Sequence, residues 1–194
     1  MNRRTFDALL TVAGAVLALV LVVAGGLLTW ASSFIGNEVH DQLAAQQIFF
    51  PAKGSDQLKS DKIGPYINQY AGQQLTTGAQ AKAYADHYIA VHLEEMTGGK
   101  TYSQLSTESR QDPNNAEKAQ LVQTAFRGET LRGLLLNAYA FGTMGTIAGI
   151  AAWVSFGAAG ALLVLVGLGL VHRRRTAPGA QLGGAHEAIE AVTV

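Results

Sequence analysis

Two long apolar runs dominate the pattern of hydrophobic and polar positions and determine the predicted architecture. The first, Leu9 to Trp30, has 22 residues without a formal charge, which matches one crossing of a hydrocarbon core about 30 Å thick. The second, Gly133 to Val171, has 39 uncharged residues and would extend roughly 58 Å as a helix at about 1.5 Å per residue. It is too long for one crossing and too short for two crossings with a turn. Part of this second run is therefore expected to lie outside the membrane.

Tryptophans mark one end of each predicted span. A crossing needs about 20 residues, and counting back from Val171 by that number reaches Ala152 and Trp153. The first run likewise ends at Trp30, and the chain has only two tryptophans. Because indole rings favour the membrane–water interface, both tryptophans are predicted to lie at the same, outer interface.

Basic residues predict the orientation of the spans. They flank both spans at the ends away from the tryptophans: Arg3, Arg4, Arg173, Arg174 and Arg175. Because basic residues accumulate on the cytoplasmic side, we expect a plasma-membrane protein with both termini in the cytoplasm and residues 31–152 on the outer side. Two crossings within 133–171 would place the arginines outside. The first run exceeds the roughly 7–15 apolar residues of a cleaved signal peptide, which favours an uncleaved signal anchor.

The surplus part of the second run, Gly133 to Ala152, is predicted to be an apolar helix on the outer side. Such a helix is expected to bury its surface against the rest of the external region or against a partner. Gly142, Gly145 and Gly149 recur at helical spacing and would allow a neighbouring helix to approach closely. These three residues are the predicted helix-packing seam.

Helical spacing continues outside the two spans, and no alternating strand pattern of useful length is present. The first helix is predicted to run outward until Pro51 and Gly54 end it. The segment TYSQLSTESRQ resembles a weak helical turn or a loop. A long helix that feeds into the second run is expected to begin near Asp112 or Asn114.

The clearest amphipathic helix is predicted over residues 79–97, in the middle of the external region. Thr76 or Thr77 can cap its start through a side-chain oxygen. Gly98 and Gly99 can end it in a left-handed turn. We expect this helix to pack between the outward extensions of the two spans.

The predicted fold is thus an all-α membrane protein, with two transmembrane helices extended outward into an extracytoplasmic helical bundle. The final segment lacks a long apolar pattern and is expected to be disordered. The predicted divisions are a cytoplasmic N-terminus (1–8), transmembrane helix 1 (9–30), an extracytoplasmic helical domain (31–152), transmembrane helix 2 (153–171) and a cytoplasmic basic tail (172–194).

The composition of the chain excludes several classes of function. The 14 basic and 14 acidic residues balance, and no basic stripe is present, so a nucleic-acid partner is not expected. The chain has no cysteine, which excludes disulfides, thiolate catalysis and cysteine-ligated metals. No phosphate-binding loop, serine elbow or HExxH motif is present, and no cofactor is predicted.

Three residues of the 79–97 helix are weak candidates for a ligand site: His87, Tyr88 and His92. Residues five apart lie about 140° apart around an α-helix, so the two imidazoles are not expected to converge on a metal. His92 falls on the apolar face, where a packed histidine with one hydrogen-bonded nitrogen is the simpler interpretation. Neither a catalytic residue nor a metal site is predicted.

Three phrases carry a resemblance to a known group: GAQAKAYADHYIAVHL, GGKTYSQLS and FRGETLRGLLLNAYAF. They resemble a group of two-span membrane proteins from actinobacteria, over about residues 5–172. Some members carry an automatic label as aromatic-ring-opening dioxygenases. Such an enzyme needs converging metal ligands, which His87 and His92 do not supply. The resemblance therefore implies the membrane topology and transfers no catalytic residue.

Two functional hypotheses follow from the sequence. The first is a non-catalytic plasma-membrane protein in contact with the lipid bilayer, acting as an accessory or assembly subunit of a membrane complex. Its partner would be another membrane protein or a second copy. The alternative is an extracytoplasmic binding or sensing module for a small apolar ligand or a metal.

Overall fold

The computed structural model describes residues 3–175, and within them the chain is helical with no strand; Phe49 and Gln74 form an isolated antiparallel bridge. Short 3-10 helices cover Asp56–Lys59 and Asn68–Tyr70, and a π-helical turn covers Ala85–Ile89. The α-helices in chain order are α1 (Arg3–Ala45), α2 (Gly64–Ile67), α3 (Gly78–Tyr84), α4 (Ala90–Thr97), α5 (Tyr102–Gln111) and α6 (Ala116–Arg175).

Two helices, α1 and α6, are long and apolar enough to cross a membrane. They contain 43 and 60 residues, so at about 1.5 Å per residue they extend roughly 65 and 90 Å, far more than a hydrocarbon core of about 30 Å. The chain divides into two compact units. One, the helix-pair unit, consists of residues 3–31 and 148–175. The other, the core unit, is Ser32–Ile147.

In the helix-pair unit the two chain segments run antiparallel, and large side chains of α6 fill the space beside glycines of α1. A Cβ added to Gly25 would lie 2.8 Å from the ring of Phe156, and one added to Gly14 would lie 3.0 Å from Val166. The glycines therefore accept these side chains directly against the α1 backbone. Most of the large apolar side chains of this unit remain exposed on its surface.

The core unit has a hydrophobic core of its own, built from α1, α2, α3, α4, α6 and the segments between them. Ile67 and Leu75 are fully buried, and Leu135 brings the apolar part of α6 into the same cluster at 3 % exposure. Burial of these side chains is the main favourable term in the folding of the unit. The buried cluster comprises Val39, Leu43, Phe50, Leu58, Ile63, Ile67, Leu75, Ala81, Ala85, Val91 and Leu135.

The first helix ends earlier than its sequence predicts. Pro51 was the expected stop, whereas α1 ends at Ala45, six residues before it. Gln47 adopts a left-handed conformation (φ 53°), and the Gln74 side chain donates to the carbonyl of Ala44 at 2.8 Å. A hydrogen bond from a distant loop thus takes the place of the next helical turn.

Both predicted ends of the 79–97 helix are confirmed. Thr77, one of the two expected caps, accepts a hydrogen bond from the Gln80 backbone, and the Gln80 side chain accepts one from the Thr77 backbone. At the other end Gly98 has φ 62°, and the Gly99 N–H donates to the carbonyl of Glu94. The chain is helical from one cap to the other, with the π-helical turn between α3 and α4.

A full helix, α5, replaces the weak turn or loop expected at TYSQLSTESRQ. Thr101 and Gln104 form a capping box at its start, which is a local sequence signal for a helix. The long helix α6 then begins at Ala116, where the Asn115 side chain accepts from the Lys118 N–H at 3.1 Å. The N-terminal cap is therefore Asn115, rather than Asp112 or Asn114.

The last helix extends past the predicted membrane span. Residues His172 to Arg175, which lie in the predicted basic tail, continue α6 by about one turn beyond Val171. Four basic residues in the last turn of a helix interact favourably with its negative end. The remainder of the predicted disordered tail, 176–194, lies outside the described residues.

Gly78, at the first turn of α3, lies against the backbone of α6. This contact leaves no room for a larger side chain at position 78. A Cβ there would lie 3.1 Å from both the Ala138 carbonyl oxygen and the Tyr139 Cα. We expect Gly78→Ala to lower the free energy of unfolding by about 1–3 kcal/mol, because the backbone must shift. Thermal unfolding in mild detergent, followed by circular dichroism, measures the change.

Gly36 in α1 is the matched control, because a Cβ added there meets nothing within 4 Å. Gly36→Ala should raise stability by roughly 0.5–1 kcal/mol through the loss of backbone freedom in the unfolded chain. Equal effects of the two substitutions would contradict the close approach at Gly78.

Candidate functional site

A π-helical turn interrupts the amphipathic helix where the weak ligand candidates lie. The Ala90 N–H donates to the carbonyl of Ala85, five residues back, instead of four. Such single π-helical turns insert one extra residue and are frequent at functional sites. The turn includes Asp86, His87 and Tyr88 and so changes the directions in which their side chains leave the helix.

The two histidines have separate aromatic partners. His87 stacks on Tyr66, with ring centroids 3.8 Å apart and ring planes nearly parallel at 3°. His92 packs against Tyr88 at 4.5 Å, and its Nδ1 lies 2.7 Å from the Tyr88 carbonyl oxygen. His92 is therefore a half-buried histidine with one hydrogen-bonded nitrogen. Within residues 3–175 no three His, Asp or Glu side chains form a group that could hold a metal ion.

Tyr88 belongs to an aromatic chain that leads into the hydrophobic core. Its ring lies 4.7 Å from that of Tyr84, which meets Phe50 edge-on at 5.3 Å. Burial raises the pKa of Tyr84 to about 12, so its hydroxyl stays protonated at neutral pH. The arrangement is that of packed core residues.

An ion cluster joins the π-helical turn to α6. Asp86 accepts hydrogen bonds from the Lys82 Nζ at 2.6 Å and from the Arg132 Nη2 at 3.0 Å. The hydrogen bond from Lys82, followed by that from Arg132, holds the pKa of Asp86 below its ordinary value against the opposing effect of burial. The Lys82 ammonium also lies 5.3 Å from the centre of the Tyr139 ring. The cluster fixes the position of the amphipathic helix against α6.

An apolar groove of the core unit lies between α1 and α6 and is here named the outer groove. Val39 and Leu135 are the buried residues at its base. Phe34, Leu134 and Phe141 also line it and are 52 %, 61 % and 56 % exposed. Its volume of about 540 Å³ falls in the range of small-molecule sites.

A polar ridge borders the outer groove along α1. Glu38, Gln42 and Gln46 recur every four residues, and the Gln42 amide donates to the Glu38 carboxylate at 3.0 Å. Asn137 of α6 also lines the groove. The ridge gives an otherwise apolar surface a small number of polar groups that could orient a ligand.

Helical spacing alone does not predict the outer groove. Phe34, Val39 and Leu43 follow one helical spacing in the sequence, but α1 buries only Val39 and Leu43 and leaves Phe34 exposed. The four-residue period of Glu38, Gln42 and Gln46 beside that face was the available signal.

The structure places two of the three seam glycines at close contacts in the core unit. A Cβ added to Gly142 would lie 3.4 Å from the Gly78 Cα, and one added to Gly145 would lie 3.1 Å from Ile35. The Ser32 hydroxyl also donates to the Gly145 carbonyl at 2.7 Å. The third glycine, Gly149, is half-buried in the helix-pair unit.

The predicted anchor residues all lie in the helix-pair unit. Trp30 and Trp153 are 67 % and 81 % exposed. Arg173, Arg174 and Arg175 form the exposed last turn of α6. Arg4, near the start of α1, lines one cleft together with Arg173 and Arg174, so basic residues from both helices lie at the same end of the pair.

Comparison with protein-family models, with curated proteins and with solved structures gives no match to this chain. The resemblance to the actinobacterial two-span group stays a prediction.

The contribution of the Asp86 ion cluster to stability can be tested by substitution and by its dependence on pH. Asp86→Asn should lower the free energy of unfolding at pH 7 by about 1 kcal/mol, the upper part of the range for partly exposed ion pairs. Because the pKa of Asp86 is depressed in the folded chain from 3.8, its contribution is complete above pH 3.8 and is lost as the pH falls through the lower folded value. The stability difference between the two proteins should therefore shrink in acid.

Asp56→Asn is the control, because Asp56 pairs with Lys59 while 94 % exposed. It should change stability little at any pH. Unfolding curves measured from pH 7 to pH 3 test both variants. Parallel loss of stability in the wild type and Asp86→Asn would contradict the role assigned to the cluster.

Proposed function

We propose that this chain is a two-span plasma-membrane protein with both termini in the cytoplasm. The length and apolar surface of α1 and α6 support the two spans. The shared cleft of Arg4, Arg173 and Arg174 supports the orientation, because basic residues favour the cytoplasmic side. Exposed Trp30 and Trp153 suit the opposite interface.

On this topology the core unit is the extracytoplasmic domain. Its own hydrophobic cluster, ion pairs and helix caps provide what a helical domain needs to fold in water. The apolar start of α6 is accommodated there because Leu135 enters the cluster and Gly142 and Gly145 allow close packing. The domain then projects from the membrane as a helical bundle.

The function that this architecture supports best is that of a non-catalytic accessory or assembly subunit of a membrane complex. The observation that carries this proposal is the outer groove, where Phe34, Leu134 and Phe141 stay more than half exposed. Contiguous apolar surface of this kind on a water-facing domain is typical of an interaction site. A partner that covers the groove would remove this surface from water.

A second candidate is an extracytoplasmic binding module for a small apolar ligand. The volume of the outer groove, about 540 Å³, and the polar ridge of Glu38, Gln42 and Gln46 favour it. The same groove would then take a hydrocarbon moiety along its apolar base, with the polar end of the ligand at the ridge.

The topology can be tested directly because the chain has no native cysteine. Ser103→Cys in α5 should react with a membrane-impermeant maleimide in intact cells. Thr5→Cys near the start of α1 should react only after permeabilisation. Reaction of Thr5→Cys in intact cells would contradict the proposed orientation.

The role of the groove is tested by placing charges on its walls. The wild-type protein is crosslinked, purified in mild detergent and analysed by mass spectrometry to identify a protein partner or a co-purifying lipid-like ligand. We expect Leu134→Glu combined with Phe141→Glu to abolish binding of whichever is found. A protein partner supports the accessory subunit, and a bound small molecule supports the binding module. Thr146→Glu, at an exposed position of α6 outside the groove, is the control. A wild-type protein that yields neither would contradict both functions.

A further inference from the structure

Three arginines from the two helices of the helix-pair unit share one cleft. Arg4 of α1 and Arg173 and Arg174 of α6 line it together with Leu170, and its volume is about 420 Å³. It is here named the arginine cleft. Arg173 and Arg174 are exposed, and Arg4 is half-buried. The cleft therefore presents guanidinium groups from both helices beside one apolar side chain.

The packing of the helix pair brings these residues together. Near this end of the unit a Cβ added to Gly169 of α6 would lie 3.1 Å from the Thr11 hydroxyl oxygen of α1. A Cβ added to Gly14 of α1 would lie 3.0 Å from Val166 of α6. Because the two segments run antiparallel, these contacts place the beginning of α1 beside the last turn of α6.

The arginine cleft carries positive charge that the residues lining it do not neutralise. The formal charges of residues 3–31 and 148–175 belong to five arginines and one aspartate, Asp7. Asp7 lines a separate apolar groove, and no carboxylate is among the described residues that line the arginine cleft. The negative end of the α6 dipole offsets only about half an elementary charge. A bound anion would reduce the repulsion that remains.

We propose that the arginine cleft binds the phosphate head group of an anionic phospholipid in the cytoplasmic leaflet. This inference rests on the proposed membrane topology, which places this end of the helix pair at the cytoplasmic interface. Guanidinium groups donate paired, charge-assisted hydrogen bonds to phosphate oxygens. Basic clefts between transmembrane helices on the cytoplasmic side are suited to anionic head groups for this reason.

The depth of the cleft favours a lipid over a free phosphate ion. Val171 is the last residue of the predicted second span, so Arg173 and Arg174 lie roughly 3–5 Å beyond it at about 1.5 Å per residue. That is the level at which lipid head groups border the hydrocarbon core. Leu170, in the same cleft, offers an apolar contact that a lipid can use and a phosphate ion cannot.

The excess of positive charge favours an anionic lipid over a zwitterionic one. Phosphatidylcholine carries the same kind of phosphate, but the three guanidinium groups would repel its ammonium group. The head group of phosphatidylglycerol has no cation, so it gains the attraction of its phosphate without this repulsion. The cleft should therefore discriminate between two lipids that share a phosphodiester.

Native mass spectrometry in an uncharged detergent tests the proposal, because such a micelle has no surface charge of its own. The wild-type protein, mixed with equal amounts of phosphatidylglycerol and phosphatidylcholine, should preferentially retain one phosphatidylglycerol. Arg173→Gln should lower this retention at least about tenfold, since a charge-assisted hydrogen bond contributes that much to affinity. Arg175→Gln is the matched control, because Arg175 is exposed in the same turn but does not line the cleft. It should retain the lipid as the wild type does.

The proposal would be overturned by equal retention of the two lipids, by no retention, or by equal losses in Arg173→Gln and Arg175→Gln. Displacement of the lipid by inorganic phosphate at the same concentration would overturn it in favour of a soluble anion. Arg174→Gln, with the same expected loss, is a second variant, and circular dichroism shows whether each variant keeps its helices. The topology is tested separately: lipid retention together with reaction of Thr5→Cys in intact cells would overturn the orientation alone.

Discussion

On the proposed two-span topology, the thickness of the hydrocarbon core is the constraint that governs the rest of the structure. A helix that crosses about 30 Å of lipid uses about 20 residues, whereas α6 contains 60, of which 39 in succession carry no formal charge. The surplus apolar surface needs a non-aqueous neighbour. The core unit supplies one by taking Leu135 into its cluster and by placing Gly142 and Gly145 against close neighbours. On the proposed function, the exposed remainder in the outer groove is the surface that a partner would cover.

The elements that sequence reasoning predicted well are those with a strong local signal. The two apolar runs predicted the two long helices, because nothing but length and apolar character is needed to recognise them. Thr76 or Thr77 and the Gly98–Gly99 pair were predicted as helix ends, because capping depends on adjacent residues, and Thr77 is the cap. The same logic, applied to Thr101 and Gln104, would have found α5 as well.

The features that sequence reasoning missed depend on contacts between distant residues. The end of α1 at Ala45 is stabilised by Gln74, almost 30 positions later, and Arg132 reaches Asp86 across 46 positions. The outer groove likewise arises where α1 and α6 pack, so no short stretch of sequence encodes it. Classifying residues only as apolar or polar also cannot distinguish a buried apolar side chain, such as Leu135, from an exposed one, such as Leu134.

Spin labels along α6 in bilayers test the proposed topology most directly, because they report whether each position faces lipid or water. Nitroxides at exposed positions from Leu134 to Leu168 would be compared for collisions with lipid-soluble oxygen and with a water-soluble nickel chelate. The account predicts that the chelate dominates at Leu134 and Phe141 and that oxygen dominates beyond Trp153. Oxygen dominance at Leu134 and Phe141 would show that the early part of α6 lies in lipid and would contradict the account.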